Sequence, residues 1–140
     1  MPAGNYGELL LQATDRLCAE IGFAGTGPVP GTRSVLGVKG VMGGILSPED
    51  EALARRMREG LARIAAALGF DGDDDRTRVV IVALDGAEMA LRGELVSGNT
   101  DQLAQLLPSL VFLVALPLVD QDRALELSRR SAELVAETLP

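Results

Sequence analysis

The side chains best suited to chemistry in this sequence are the carboxylates Asp85 and Glu88, one helical turn apart, and the guanidinium of Arg92. On a helix these three share one stripe with Arg78. Glu88 precedes Arg92 by four residues, a favourable ion-pair spacing. Two carboxylates so placed could act as general acid and base. No further group completes a catalytic constellation, so we expect no enzyme activity. We interpret the three as polar anchors of an apolar ligand pocket; the alternative is a solvated helix face.

The composition excludes several other kinds of site. The 140 residues include no His and one Cys, with 13 basic and 20 acidic residues and a net charge of −7. Without His there is no Ser-His-Asp triad and no His metal ligand. One Cys cannot form an internal disulfide or a CxxC pair. We therefore expect no metal and no cofactor. The negative charge argues against direct nucleic-acid binding by these residues.

Three local features could suggest chemistry but are better explained by structure. The acidic run 71–75 departs from an EF-hand loop, which requires Gly where Arg76 stands and Glu where Val82 stands. We interpret that run as caps of the next helix. Cys18, on an otherwise apolar helix, is expected to be buried rather than reactive. Lys39 lies among glycines, but their spacing is not that of a P-loop.

The length predicts one domain spanning residues 1–140, and the composition predicts an aliphatic core. Hydrophobic residues make up 47% of the chain and aromatic residues only 3%. The most apolar run, 110–119, is about half the roughly 20 residues that a bilayer span requires. No signal peptide is visible at the N-terminus. We therefore expect a cytoplasmic protein without a membrane partner.

Apolar residues at helical spacing predict five or six helices. Ser47 and Pro48 form the clearest helix start in the chain. Residues 25–46, with seven glycines, fit either a weak helix or two short strands. The final helix is expected to carry an ion pair between Glu126 and Arg130. The predicted helices cover residues 6–21, 47–69, 76–96, 100–118 and 120–139.

The segment 76–96 decides between two fold classes. Asp85-Gly86 is a favoured hairpin turn, so two strands over 79–84 and 87–92 are an alternative. The helical interpretation is preferred because it separates the charged stripe from an opposite face of small residues, which permits close helix packing. That face comprises Ala83, Gly86, Ala87, Ala90, Gly93 and Ser97.

The order of elements resembles the C-terminal ligand-binding and dimerisation domain of the tetracycline-repressor (TetR) family. The resemblance covers residues 47–138 and rests on the charged helix 47–69, the apolar segment 79–95 and the segment 101–113. It implies an all-α fold, a homodimer built through a four-helix bundle of the last helices, and a pocket for a small apolar effector. Residues 10–26 echo the first helix of the family's DNA-binding head. Pro28, Pro30 and the glycines that follow do not fit its helix-turn-helix.

These considerations predict a small-molecule-sensing dimerisation domain of a transcriptional regulator, lacking its DNA-binding head. The alternative is an α/β scaffold module of the roadblock type that binds a protein partner. The predicted ligand-binding residues are Met42, Met57, Asp85, Glu88, Met89 and Arg92. The predicted dimer-interface residues are Ala83, Gly86, Ala90, Gly93, Leu106, Leu110 and Leu113.

Overall fold

The computed structural model describes residues 3–22, 29, 46–72, 75–98 and 102–138. Within these ranges every regular element is a helix. The predicted all-α class is therefore confirmed for this part of the chain. The choice left open for residues 25–46, and the placement of Met42, fall almost wholly outside the described residues. The helices are α1 (Ala3–Glu20), α2 (Pro48–Ala67), α3 (Thr77–Ser97), α4 (Leu103–Ala115) and α5 (Gln121–Thr138).

Helix α2 begins as its sequence predicts. The Asp50 backbone N–H donates to Ser47 Oγ at 3.1 Å, and Pro48 occupies the first turn, where its missing N–H is not required. Three acidic residues lie in that turn and interact favourably with the positive end of the helix dipole. The helix ends before Gly69, whose φ of +106° suits glycine.

Helix α3 settles the fold class. Asp85 and Gly86, proposed as a hairpin turn, lie in the middle of this 21-residue helix, so the two-strand alternative is wrong. The predicted capping by the acidic run 71–75 is also wrong. The N-cap residue is Arg76, and it makes no side-chain capping hydrogen bond. The helix ends at Gly98, with φ +74°.

The last two helices pack closely against each other. Pro108 lies inside α4, and the helix ends before Pro117. Asp120 Oδ1 accepts the Arg123 backbone N–H at 2.7 Å and so opens α5. The predicted pair between Glu126 and Arg130 is wrong. Glu126 binds Arg123 at 2.9 Å, whereas Arg130 reaches Glu20 of α1 and Glu133.

The core is mainly aliphatic, as the composition predicts. Ala54, Ala65 and Ala87, which are fully buried, let helices approach closely, and Leu, Val and Ile fill the remaining space. No helix in the described ranges has the length and apolarity to cross a membrane. The largest fully buried side chains are Leu17, Met57, Leu61, Ile64, Leu84, Leu91, Leu103, Leu107, Leu134, Val80 and the charged Arg92.

Candidate functional site

Five charged side chains meet where α2 packs against α3. Asp85 is 0% exposed and Arg92 is 2% exposed, and Glu88 lies between them. The solvated-face alternative for this stripe is therefore wrong for these three residues, although Arg78 is exposed. Burying a charge is unfavourable unless it is paired, and α2 supplies the partners. We call Glu51, Arg58, Asp85, Glu88 and Arg92 the ion cluster.

The ion cluster is a chain of hydrogen bonds with alternating charge. Arg58 Nη1 donates to Asp85 Oδ1 at 2.6 Å and to Glu88 Oε1 at 3.1 Å. The other oxygen of Glu88 accepts from Arg92 Nε at 2.8 Å. Arg92 Nη1 donates to Glu51 Oε1 at 2.9 Å. Glu88 therefore bridges both guanidinium groups.

These contacts keep Arg92 charged inside the protein. Burial alone lowers the pKa of Arg92, but its hydrogen bonds to Glu51 and Glu88 outweigh that effect and hold the pKa above the ordinary value. Charge-assisted hydrogen bonds of this kind are strong, and they also fix the orientation of the side chains. The predicted anchors are thus engaged by other side chains of the same subunit, and they lock α3 to α2.

Sequence reasoning missed two members of the cluster. By spacing alone, Arg58 falls with Arg55 and Arg56 outside the apolar stripe of α2, and Glu51 belongs to the acidic first turn. Arg58 instead turns inward, with its side chain 13% exposed. A signal existed, because three polar residues on one stripe of an otherwise apolar helix require buried partners of opposite charge.

The methionines predicted to line the pocket are not gathered there. Met57 is fully buried in the core, where its sulfur contacts the Thr14 hydroxyl at 3.9 Å. Met89 is 39% exposed and lies outside the ion cluster. The structure thus brings together Asp85, Glu88 and Arg92 and separates them from Met89.

A second feature is an apolar recess on the surface between α3 and the end of α4. Its volume is about 540 Å³, within the range of ligand or side-chain pockets. Apolar side chains this exposed are unusual when they are contiguous. The recess is lined by Val79, Val82, Ala83, Gly86, Leu113, Leu116 and Pro117, and we call this set the apolar face.

The apolar face contains three of the predicted interface residues. Ala83, Gly86 and Leu113 line the recess, and Ala90 and Gly93 continue the same side of α3. By contrast, Leu110 is buried in the core, and Leu106 packs against the core from one side. Leu110 therefore presents no apolar surface to a partner, and Leu106 is only partly exposed.

The signal for the remaining members of the face was present in the sequence. Residues 79–84 are six consecutive apolar residues, and a helix cannot turn all of them toward one core. Val80 and Leu84 are buried, whereas Val79 is 54% and Val82 is 44% exposed. The apolar run therefore predicts a second apolar side of α3 that does not face the core.

Cys18 offers no reactive thiol. It is buried, and burial raises its pKa to about 11, so the nucleophilic thiolate is scarce near neutral pH. Its sulfur lies 3.7 Å from the Gly60 carbonyl oxygen. The residue belongs to the packing of α1 against α2.

Comparison with known proteins adds no relative. No protein-family model, curated protein or solved structure matches this chain.

Proposed function

We propose that this chain is a homodimerising, small-molecule-sensing domain of a TetR-like transcriptional regulator, with the apolar face as the subunit interface. The apolar face is the observation that carries the proposal. Exposed Val79, Val82, Leu113 and Leu116 surround small residues that allow a second subunit to approach. Burying such a surface is the main favourable contribution to association.

The location of this face refines the expectation from the resemblance. The exposed side of α5 is largely charged and polar, with Asp122, Arg123, Glu126 and Arg129 exposed. Charged side chains are depleted from the centres of interfaces. The proposed interface therefore uses α3 and α4 rather than α4 and α5.

The ion cluster supplies a route from ligand to interface. Helix α3 carries Asp85, Glu88 and Arg92 on one side and the apolar face on the other. A ligand that moves α2 relative to α3 would therefore reorient the interface and shift the population of subunit arrangements. Arg58, which joins α2 to Asp85 at 2.6 Å, is the side chain through which this coupling acts.

Sedimentation equilibrium of a Val82→Asp variant tests the dimer. A buried carboxylate at the interface has no partner in the apolar face. We therefore expect the dissociation constant of the dimer to rise at least tenfold, which corresponds to about 1.4 kcal/mol or more. Leu125→Asp is the matched control, because Leu125 on α5 is 44% exposed, like Val82. A wild-type monomer, or equal weakening by both variants, would contradict the proposal.

The sensing part has a separate test. A thermal-shift panel of small apolar compounds is expected to contain at least one that raises the Tm, since ligands that bind only the folded state stabilise it by mass action. Compounds that do so should also alter the dimer constant in the wild type. A panel without any stabilising compound would argue against sensing while leaving the dimer intact.

A further inference from the structure

Small residues on α3 repeat every seven positions, which is the spacing of a helix-to-helix seam. Ala83 and Ala90 are seven apart, and so are Gly86 and Gly93. Together they occupy the two positions of a heptad that face a partner helix in a coiled coil. Exposed Val82, Met89 and Val96 form one flank, again at intervals of seven. We call the four small residues the α3 seam.

The glycines of the seam are not required by the described part of this subunit. Among the described residues, a Cβ at Gly93 would meet no atom within 4 Å, and one at Gly86 would meet only Leu113 Cδ2 at an ordinary 3.7 Å. Glycine in a helix interior is about 1 kcal/mol less favourable than alanine. A helix from outside the subunit, packed closely against the seam, explains why small residues stand there.

The dimensions of the surface fit a second copy of this chain. Helix α3 has 21 residues, so the seam side is about 30 Å long at 1.5 Å per residue. With the end of α4 beside it, the surface is about 20 Å wide. A flat surface of this length and width has an area of roughly 600 Å², and protruding side chains increase it. This is close to the roughly 800 Å² that each partner buries in a stable interface.

Charge favours one direction for the two helices. Exposed Arg76 and Arg78 lie at the N-terminal end of α3, and Glu94 lies near its C-terminal end. Parallel packing would place Arg78 beside its own copy and align both helix dipoles. Antiparallel packing separates these arginines and sets each positive N-terminus near a negative C-terminus.

We infer that two copies pair α3 against α3 in antiparallel orientation, with the twofold axis level with residues 88 and 89. This inference rests on the proposed dimer and specifies its geometry. Gly86 then packs against the partner's Ala90. On the flank, Met89 meets the partner's Met89 and Val82 meets the partner subunit's Val96. That valine enters the recess walled by Leu113 and Leu116.

Site-specific cross-linking of the full chain tests this register. Single cysteines replace Met89, Val82 or Val96 in a Cys18→Ala background, and a short bismaleimide linker is added. In the antiparallel dimer, the Met89→Cys variant cross-links to a second copy of itself and runs as a dimer on a denaturing gel. Two copies of Val82→Cys lie about 20 Å apart along the helix and do not link. A mixture of Val82→Cys and Val96→Cys does.

Sedimentation of each variant separates the possible failures. If all three single variants link to themselves, the helices are parallel and the inference is overturned. If the variants are dimeric but none links, the register is wrong while the proposed dimer stands. If Leu125→Cys links as well as Met89→Cys, linking reflects collision and the inference fails. Wild-type monomers would overturn the proposed dimer, and the register with it.

Discussion

At the scale of single residues, Glu88 is the member on which the ion cluster depends. Its two carboxylate oxygens accept hydrogen bonds from different arginines, one on each helix. Asp85 and Glu51, at the two ends of the chain of contacts, each bind one of those arginines. Removing the charge at Glu88 therefore leaves the guanidinium groups of buried Arg92 and partly buried Arg58 with less compensating charge at once.

We expect Glu88→Gln to lower the free energy of unfolding by about 3 kcal/mol, because breaking a buried ion pair strands its partner. Urea denaturation followed by circular dichroism measures the change. Asp15→Asn is the control, since Asp15 also pairs with an arginine of α2, Arg63, at 3.1 Å, but is 64% exposed. An exposed pair contributes about 1 kcal/mol or less. Equal losses in the free energy of unfolding would show that the buried ion cluster contributes no more to stability than an exposed ion pair.

At the scale of helices, the sequence predicts where elements lie better than how they meet. Ser47 and Pro48 act locally, so the start of α2 follows from neighbouring residues alone. The partner of a charged residue on another helix does not, because it depends on how both helices are rotated. Arg55 and Arg58 look alike in sequence, yet Arg55 is exposed and Arg58 is held by two carboxylates of α3.

The crossing of α1 and α2 shows the same limit at Gly60. Gly60 lies inside an otherwise well-formed helix, where alanine would be intrinsically better. The reason for a glycine at this position lies on α1. A Cβ at this position would lie 2.8 Å from Thr14 Cγ2. Thr14 is fully buried, and its hydroxyl donates to the Leu10 carbonyl at 2.8 Å, so it cannot easily move away.

Gly60→Ala is therefore expected to destabilise the protein by about 1–3 kcal/mol, as overpacking does, despite its better helix propensity. Thr14→Ser removes the obstructing methyl and keeps the hydroxyl, so the double variant Gly60→Ala/Thr14→Ser should recover part of the loss. A double-mutant cycle from chemical denaturation gives the coupling. Additive effects without recovery would mean that the methyl group is not the obstacle.

At the scale of the whole molecule, an ion pair joins the first and last helices. Arg130 of α5 binds both oxygens of Glu20 on α1, at 2.8 and 2.7 Å. A second pair, Arg16 with Glu137, spans the same two helices at 3.0 Å. Both pairs are partly exposed, so salt screens them. Their role is to hold together helices that are far apart in sequence.

The pair gives stability a defined dependence on pH. Hydrogen bonding from Arg130 lowers the pKa of Glu20 below its ordinary 4.5. A lowered carboxylate pKa means that the unfolded state binds the proton more readily. The stabilisation is therefore present above pH 4.5 and is lost as the pH falls through the folded-state pKa.

We expect Glu20→Gln to lower the Tm at pH 7 by a small amount, on the order of 1–2 °C. The difference from wild type should shrink as the pH falls below 4.5, because wild-type Glu20 then becomes protonated too. It should also shrink in high salt. Glu126→Gln removes an exposed pair within α5 alone and serves as the control for a general charge effect. A Tm difference that stays constant from pH 7 into acid would show that the Glu20 charge does not connect α1 to α5.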